Sequence, residues 1–202
     1  VDPDAVEARK RTPTTKGDLA HAMAQAAHTI DASFTTEGHA SAAMEPHASV
    51  ASWTDGRLEL HGSYQMLRHN VAELADALGV DEADVRIHSP YVGGGFGAKG
   101  IVYSEPVAAL LAKKANRPVK VTMSRTEVFE ASGPTSGTGI TVKLGATKDG
   151  KLMAAEAQLI YEAGAFPGSP VPGGCNCMFA PYDIPNTYME GVDVVVTHPK
   201  SA

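Results

Sequence analysis

Cysteine is nearly missing from this chain: of 202 residues, only Cys175 and Cys177 carry a thiol. Two thiols one residue apart exclude a disulfide framework and make even one structural disulfide difficult. They also fall short of the ligand sets of zinc and iron–sulfur centres. So little cysteine leads us to expect a reducing compartment and a cytoplasmic location. Aromatic residues are scarce at 6%, with a single tryptophan, Trp53. There is no basic excess, and the formal charge of −6 argues against nucleic-acid partners. No apolar run approaches the ~18 residues of a membrane span. No secretory leader is visible; the opening Val1-Asp2-Pro3-Asp4 is polar, lacks Met and has the look of an excised or processed piece. No internal repeat is present. What remains, 43% hydrophobic and 20% charged, is the composition of a globular protein able to bury a core as one domain or two small ones.

Glycine, by contrast, is concentrated. The run Tyr91-Val92-Gly93-Gly94-Gly95-Phe96-Gly97-Ala98-Lys99-Gly100 lies between an apolar strand (Val85, Ile87) and a helix starting near Glu105. Glycine permits positive φ and close approach of backbone to a ligand. Strand-to-helix turns rich in N–H donors are where phosphate and pyrophosphate groups dock. An ordinary flexible turn is the competing reading. The standard phosphate motifs fit poorly: Lys99 is followed by Gly100, not Ser or Thr, and no G-x-G-x-x-G frame is followed by an acidic residue about 20 positions on.

Along the chain, residues 1–16 read as a linker or arm. Asp18 caps a predicted helix over 19–28, and a strand follows over 29–36. The runs Ala48–Trp53 and Arg57–Gly62 flank Asp55-Gly56, a hairpin signal. Leu67, Val71, Leu74 and Leu78 predict a helix closed by Gly79. Asp81–Asp84 reads as an acidic turn and Val85–His88 as a strand. Ser104-Glu105-Pro106 predicts a helix start with a capping hydroxyl, burying Val107, Leu110 and Leu111 and ending before Arg117-Pro118. Val119–Met123 alternates as a strand. A second hairpin is expected about Asp149-Gly150, then a long irregular loop over 164–186 and a last strand, Tyr188–Thr197. The expected fold class is α+β: a mixed β-sheet with two β-hairpins and packed helices.

Several segments together resemble one family. Met44-Glu45-Pro46-His47-Ala48, Gln65 at a strand end, Gly93-Gly94-Gly95-Phe96-Gly97-Ala98-Lys99, Arg117-Pro118-Val119-Lys120 and Ala180-Pro181-Tyr182-Asp183-Ile184-Pro185-Asn186 occur in this order. The set resembles the molybdenum-cofactor-binding large subunit of the xanthine dehydrogenase, aldehyde oxidase and carbon monoxide dehydrogenase family. The likeness runs from about residue 17 to the end, with 17–135 and 136–202 as two sub-parts. It implies that Gln65, Gly94, Gly95, Phe96, Gly97 and Lys99 bind molybdopterin, as such or as its cytosine dinucleotide. Gln65 and Phe96 would approach the metal through its oxo ligands or through backbone, not by direct side-chain ligation. Gly100 falls at a substrate position where purine-oxidising members carry a glutamate, which argues against purine specificity. Iron–sulfur clusters and FAD are implied on other domains or subunits. The remainder of the large subunit and a small-molecule substrate complete the implied partners. The family's catalytic glutamate lies far toward the C-terminus, so the resemblance implies no catalytic residue in this fragment and no turnover by it alone. The residues leave open a non-catalytic fragment or interaction module that binds no cofactor alone, and an unrelated phosphate-binding domain.

Other residues invite weaker readings. Glu45 and His47, with His39 nearby, read as a hydrogen-bonded turn close to the cofactor region. Lys99 reads either as an anion contact or as a solvated loop lysine. Trp53 reads as core, Lys113-Lys114 as the wet face of a helix, and His61, His69 and His88 as scattered surface or structural histidines. The loop carrying Cys175 and Cys177 either lines a substrate funnel or packs on further protein, with an exposed apolar patch expected about Phe166, Val171, Met178 and Phe179.

Overall fold

The computed structural model describes residues 8–201. The described residues divide into two compact units, one of residues 8–39 with 136–201 and one of 40–135. The boundary therefore falls twice, not once. Residues up to 39 join the later part of the chain because β3 (His28–Thr36) pairs along its length with β8 (Thr138–Ala146), from His28 opposite Ala146 to Thr36 opposite Thr138.

The first unit is a six-stranded mixed sheet. Its other strands are β1 (Ala8–Lys10), β2 (Thr14–Lys16), β9 (Leu152–Gly164) and β10 (Asn186–Val195), in the order β1-β10-β9-β8-β3 with β2 also on β10. β8 and β9 form the expected hairpin at Asp149-Gly150, where Gly150 adopts φ 84° and its N–H donates to the Thr147 carbonyl at 3.0 Å. β9 and β10 are parallel, so a crossover must join them. That crossover contains helix α5 (Val171–Met178) where an irregular loop was expected. Pro172 stands in its first turn, where a missing N–H costs no hydrogen bond. The short strands β1 and β2 likewise replace the expected arm over the described part of 1–16; residues 1–7 lie outside the described residues. Helix α1 (Leu19–Gln25) starts as predicted, with Asp18 Oδ1 accepting from His21 N at 3.0 Å. It stops at Gln25 because Ala27 N donates to the Ala146 carbonyl and draws the chain into the sheet.

The expected exposed patch is only partly there. Phe166 is 68% exposed, but Val171 is buried against Ala157 and Leu159, with Met178 and Phe179 packed on the same cluster. Helix formation turns one side of this segment onto the sheet, which a loop would not do.

The second unit is a four-stranded mixed sheet covered by helices. It comprises β4 (Ala48–Thr54), β5 (Arg57–Gly62), β6 (Val85–His88) and β7 (Val119–Thr122) in the order β6-β5-β4-β7. The β4–β5 turn has positive φ at both Asp55 (50°) and Gly56 (81°), the mirror-image turn that suits strand twist. Helices α2 (Leu67–Leu78) and α3 (Glu105–Ala115) pack on one sheet face, where Leu58, Leu60, Leu74, Ala108, Ala109 and Ala112 are almost wholly buried. Gly79 ends α2 in the left-handed region at φ 64°. A helix not anticipated, α4 (Arg125–Ala131), follows β7 and is closed by a reciprocal cap between Ser124 and Glu127.

Two expectations for α3 fail. Val107, Leu110 and Leu111 are exposed, at 51%, 56% and 45%, and the alanine stripe faces the sheet instead. Small side chains let the helix sit close to β4, close enough for Trp53 Nε1 to donate to the Ala109 carbonyl at 2.8 Å. Ser104 makes no capping hydrogen bond, because its own backbone is already helical (φ −90°, ψ −9°). Trp53 packs against this core as expected, with the exposed Lys113 ammonium 4.8 Å above its ring.

Candidate functional site

Three segments of the second unit meet at the glycine run: the turn before β4, the stretch from the end of β5 into α2, and the run itself after β6. Gln65 lies three residues beyond β5, and its main-chain N–H donates to the Lys99 carbonyl at 2.9 Å. Its side-chain oxygen accepts from Gly97 N and Lys99 N, both at 3.1 Å. Two N–H donors on one atom identify that atom as oxygen, so the amide nitrogen Nε2 points away with its hydrogens unused. Among the described residues, neither that nitrogen nor the N–H groups of Gly94, Gly95 and Phe96 has a hydrogen-bond partner. Gln65 and Phe96 are exposed.

The run takes its shape from backbone conformations that few residues tolerate. Gly94 and Gly97 adopt φ 97° and 93°, and Phe96 itself adopts φ 51°, uncommon for an aromatic residue. At Gly95 any side chain would run into the Gln65 amide, and at Gly93 it would meet Glu45 at 2.6 Å. The glycines therefore permit both the curvature and the close seating of two polar side chains against the chain.

Beneath the run lies an ion pair. Lys99 is 1% exposed, and its Nζ donates to Glu45 Oε2 at 2.9 Å and to Ser63 Oγ at 3.3 Å. This corrects the expectation of a solvated or anion-seeking lysine: the ammonium is committed inward. Glu45 Oε2 also accepts from Ser63 Oγ at 3.0 Å and from Gly93 N. Burial pushes the Glu45 carboxyl up. The hydrogen bonds from Lys99, Gly93 and Ser63, with the Lys99 charge, outweigh burial and hold it below the usual range. His47 is buried edge-on to Tyr103 at 5.2 Å; burial first, then the Lys99 charge, disfavours its protonation.

The segment after the run is pinned from α2. Asn70, fully buried, donates from Nδ2 to the Gly100 carbonyl at 2.8 Å, and Glu73 Oε2 accepts from Val102 N at 3.0 Å. Gly100 is itself buried, and a side chain there would press on the Gly97 carbonyl at 3.0 Å. Buried Glu105 accepts from Tyr103 N at 2.6 Å and from the Tyr64 hydroxyl at 3.4 Å, and burial raises its carboxyl above the usual range.

Of the residues singled out from sequence, the structure brings Gln65, Gly94, Gly95, Phe96 and Gly97 together, and turns the Lys99 side chain away. Sequence reasoning missed Ser63, Asn70 and Glu73. Asn70 was detectable as a polar residue on the apolar stripe of α2; nothing marked the other two.

Unpartnered N–H donors on a glycine-shaped turn, with an amide whose oxygen is already taken, have the chemistry of a cradle for an anionic or oxygen-rich group. Residues 3–202 match the family model described as the molybdopterin cofactor-binding domain. The chain is 41% identical over 139 residues to the aldehyde oxidoreductase molybdenum-binding subunit of Escherichia coli K12, covering 68% of this chain and 19% of that protein. It is 30% identical over 190 residues to the nicotinate dehydrogenase large molybdopterin subunit of Eubacterium barkeri, covering 92% of this chain and 44% of that one. Carbon monoxide dehydrogenase of Oligotropha carboxidovorans superposes with a TM-score of 0.78 at 26% identity, covering 94% of this chain and 25% of that chain. Aldehyde oxidoreductase of Desulfovibrio gigas shares the fold, with a TM-score of 0.80 and 96% of this chain covered against 22% of that one. This chain belongs to the molybdopterin cofactor-binding domain family and is homologous to part of the xanthine dehydrogenase, aldehyde oxidase and carbon monoxide dehydrogenase enzymes. It spans about a fifth of the length of its E. coli relative.

Proposed function

We propose that this chain supplies loops that hold molybdopterin, as such or as its cytosine dinucleotide, within a molybdenum hydroxylase oxidising an aldehyde or N-heterocycle. The observation that carries this reading is the Gln65 amide: its oxygen is taken by Gly97 N and Lys99 N, which leaves its Nε2, like the N–H groups of Gly94, Gly95 and Phe96, without a partner among the described residues. The donor set suits the cofactor. Neutral N–H groups satisfy oxo and dithiolene atoms without adding charge, and the glycines contribute no side chains of their own. When bound, the cofactor supplies the oxygen-transfer and redox chemistry. The chain's own part is to bind and orient: Gln65 and Phe96, with the main chain of Gly94, Gly95 and Gly97, would hold the cofactor through neutral N–H donors. Lys99 acts from behind, through Glu45 and its main-chain bond to Gln65. Gly100 lies at the substrate position by resemblance, and as a buried residue held by Asn70 it acts through the backbone it places.

Iron–sulfur and flavin domains or subunits, and the rest of a large subunit, are the proposed partners, and the chain alone is proposed to lack turnover. Supporting this, the relatives' names describe molybdenum-binding and large molybdopterin subunits. The test is the molybdenum and pterin content of the purified chain from a host that makes the cofactor. Both are expected in the wild type and absent from Gly95→Val, which drives a side chain into the Gln65 amide. Pterin and molybdenum absent from the wild type, or equal in the two, contradicts the reading.

A further inference from the structure

We propose a second site, independent of the cradle: a divalent transition-metal site formed by Glu59, His61 and His88. Glu59 and His61 lie two residues apart on β5 and so share a sheet face. β6 runs parallel alongside, with His88 opposite His61. Leu58 and Leu60, between and beside them, point into the helix-covered core, so the three polar side chains occupy the other face.

The geometry is nearly that of a ligand set. Nitrogen and carboxylate donor atoms of the three residues all lie within 4.8 Å of one another. Zinc bonds of about 2.0–2.2 Å in a tetrahedron require donor atoms roughly 3.4 Å apart. His88 Nε2 already stands 3.3 Å from Glu59 Oε2. The two imidazoles now stack with centroids 4.4 Å apart and planes within 9°; since their lone pairs lie in the ring planes, binding one ion requires exposed His61 to turn out of the stack.

A second observation points to a ligand. His88 Nε2 is shut off from solvent and has no hydrogen-bond partner among the described residues; Glu59 is near but not aligned to bond it. Buried polar atoms are rarely left so. Two imidazoles and one carboxylate select zinc and its first-row neighbours over calcium or magnesium, and leave a coordination position for water.

The position matters. His61 stands next to the end of β5, ahead of Ser63 and Gln65, and His88 ends β6, ahead of Ser89 and the glycine run. A metal here ties the strands that carry both sides of the cradle, reinforcing the Tyr64 N to Ser89 Oγ bond of 3.0 Å.

The experiment uses the untagged 202-residue chain, with zinc affinity read by competition against a chromophoric chelator and the coordination sphere read from cobalt(II) spectra. One zinc per chain is expected. His61→Ala and His88→Ala each weaken binding at least about tenfold, with unchanged circular dichroism. A Cys175→Ser/Cys177→Ser double variant keeps the affinity, and cobalt shows no thiolate charge-transfer band. Absence of zinc uptake at micromolar metal, affinity undiminished in the His61→Ala/His88→Ala double variant, or loss in the cysteine variant overturns the proposal.

Discussion

Gln65 and Lys99 hold each other twice: the Gln65 N–H donates to the Lys99 carbonyl at 2.9 Å, and the Lys99 N–H returns to Gln65 Oε1 at 3.1 Å. This reciprocal pair fixes the stretch after β5 against the glycine run. It also makes the outward Gln65 nitrogen a consequence of backbone geometry.

Gln65→Leu removes the acceptor shared by Gly97 N and Lys99 N. An unsatisfied, partly buried donor costs roughly 1–3 kcal/mol. The variant is expected to lose stability in that range, measured by urea titration as a lower midpoint with an unchanged m-value.

The Glu45–Lys99 pair breaks asymmetrically. Glu45→Ala strands an ammonium that is 1% exposed, whereas Lys99→Met leaves a carboxylate that is 41% exposed and still bonded to Ser63 and Gly93. Loss of one partner of a fully buried pair costs about 3–5 kcal/mol. Water at Glu45 reduces this, so about 2 kcal/mol is expected for Glu45→Ala and under about 1 for Lys99→Met. The folded Glu45 carboxyl sits below its ordinary 4.5. Its contribution is therefore complete above that pH and is lost as pH falls through the folded value. Stability curves of wild type and Glu45→Gln should converge in that acid range; a gap that stays constant down to acid unfolding contradicts the pairing.

Glu105 behaves oppositely. Burial raises its carboxyl above the ordinary value in the folded protein, so the folded state holds its proton more tightly and stability declines as pH rises through that interval. Glu105→Gln can keep the bond from Tyr103 N and answer the Tyr64 hydroxyl. It should stabilise the protein at neutral pH, on the order of 1 kcal/mol, and remove this part of the pH dependence. A destabilised variant at pH 7 contradicts the assignment.

Much of this architecture was readable from local signals. Asp55-Gly56 and Asp149-Gly150 mark both hairpins, because positive φ is tolerated by few residues. The spacing of Leu67, Val71, Leu74 and Leu78 marks α2. What escaped depends on long-range packing. In α3 the alanine stripe and the Val107–Leu111 stripe are both apolar, and only the closeness of β4 selects the smaller one. Residues 171–178 contain Pro172 and two glycines, so their helix owes more to the sheet beneath than to propensity. Glu45 and Lys99 lie 54 positions apart, and no spacing announces that they meet. Gln65 stood out only within an ordered set of segments, never by itself.

Glycine position separates two kinds of effect. Gly150→Ala, at φ 84° with open space around it, should cost about 1 kcal/mol from backbone strain alone and leave cofactor content untouched. Gly93→Ala presses on Glu45 and should lower both stability and cofactor content, measured by urea titration and metal analysis on the same preparation.

The most direct measurement compares molybdenum per chain in the wild type and in Gln65→Glu, purified in parallel from a cofactor-producing host. Glutamate keeps an acceptor for Gly97 and Lys99 and replaces the outward donor by a second, anionic acceptor. The account predicts an unchanged unfolding midpoint with molybdenum reduced at least about tenfold, as expected when a charge-compatible donor becomes a repelling acceptor. Equal molybdenum in the two proteins would show that the Gln65 nitrogen does not hold the cofactor.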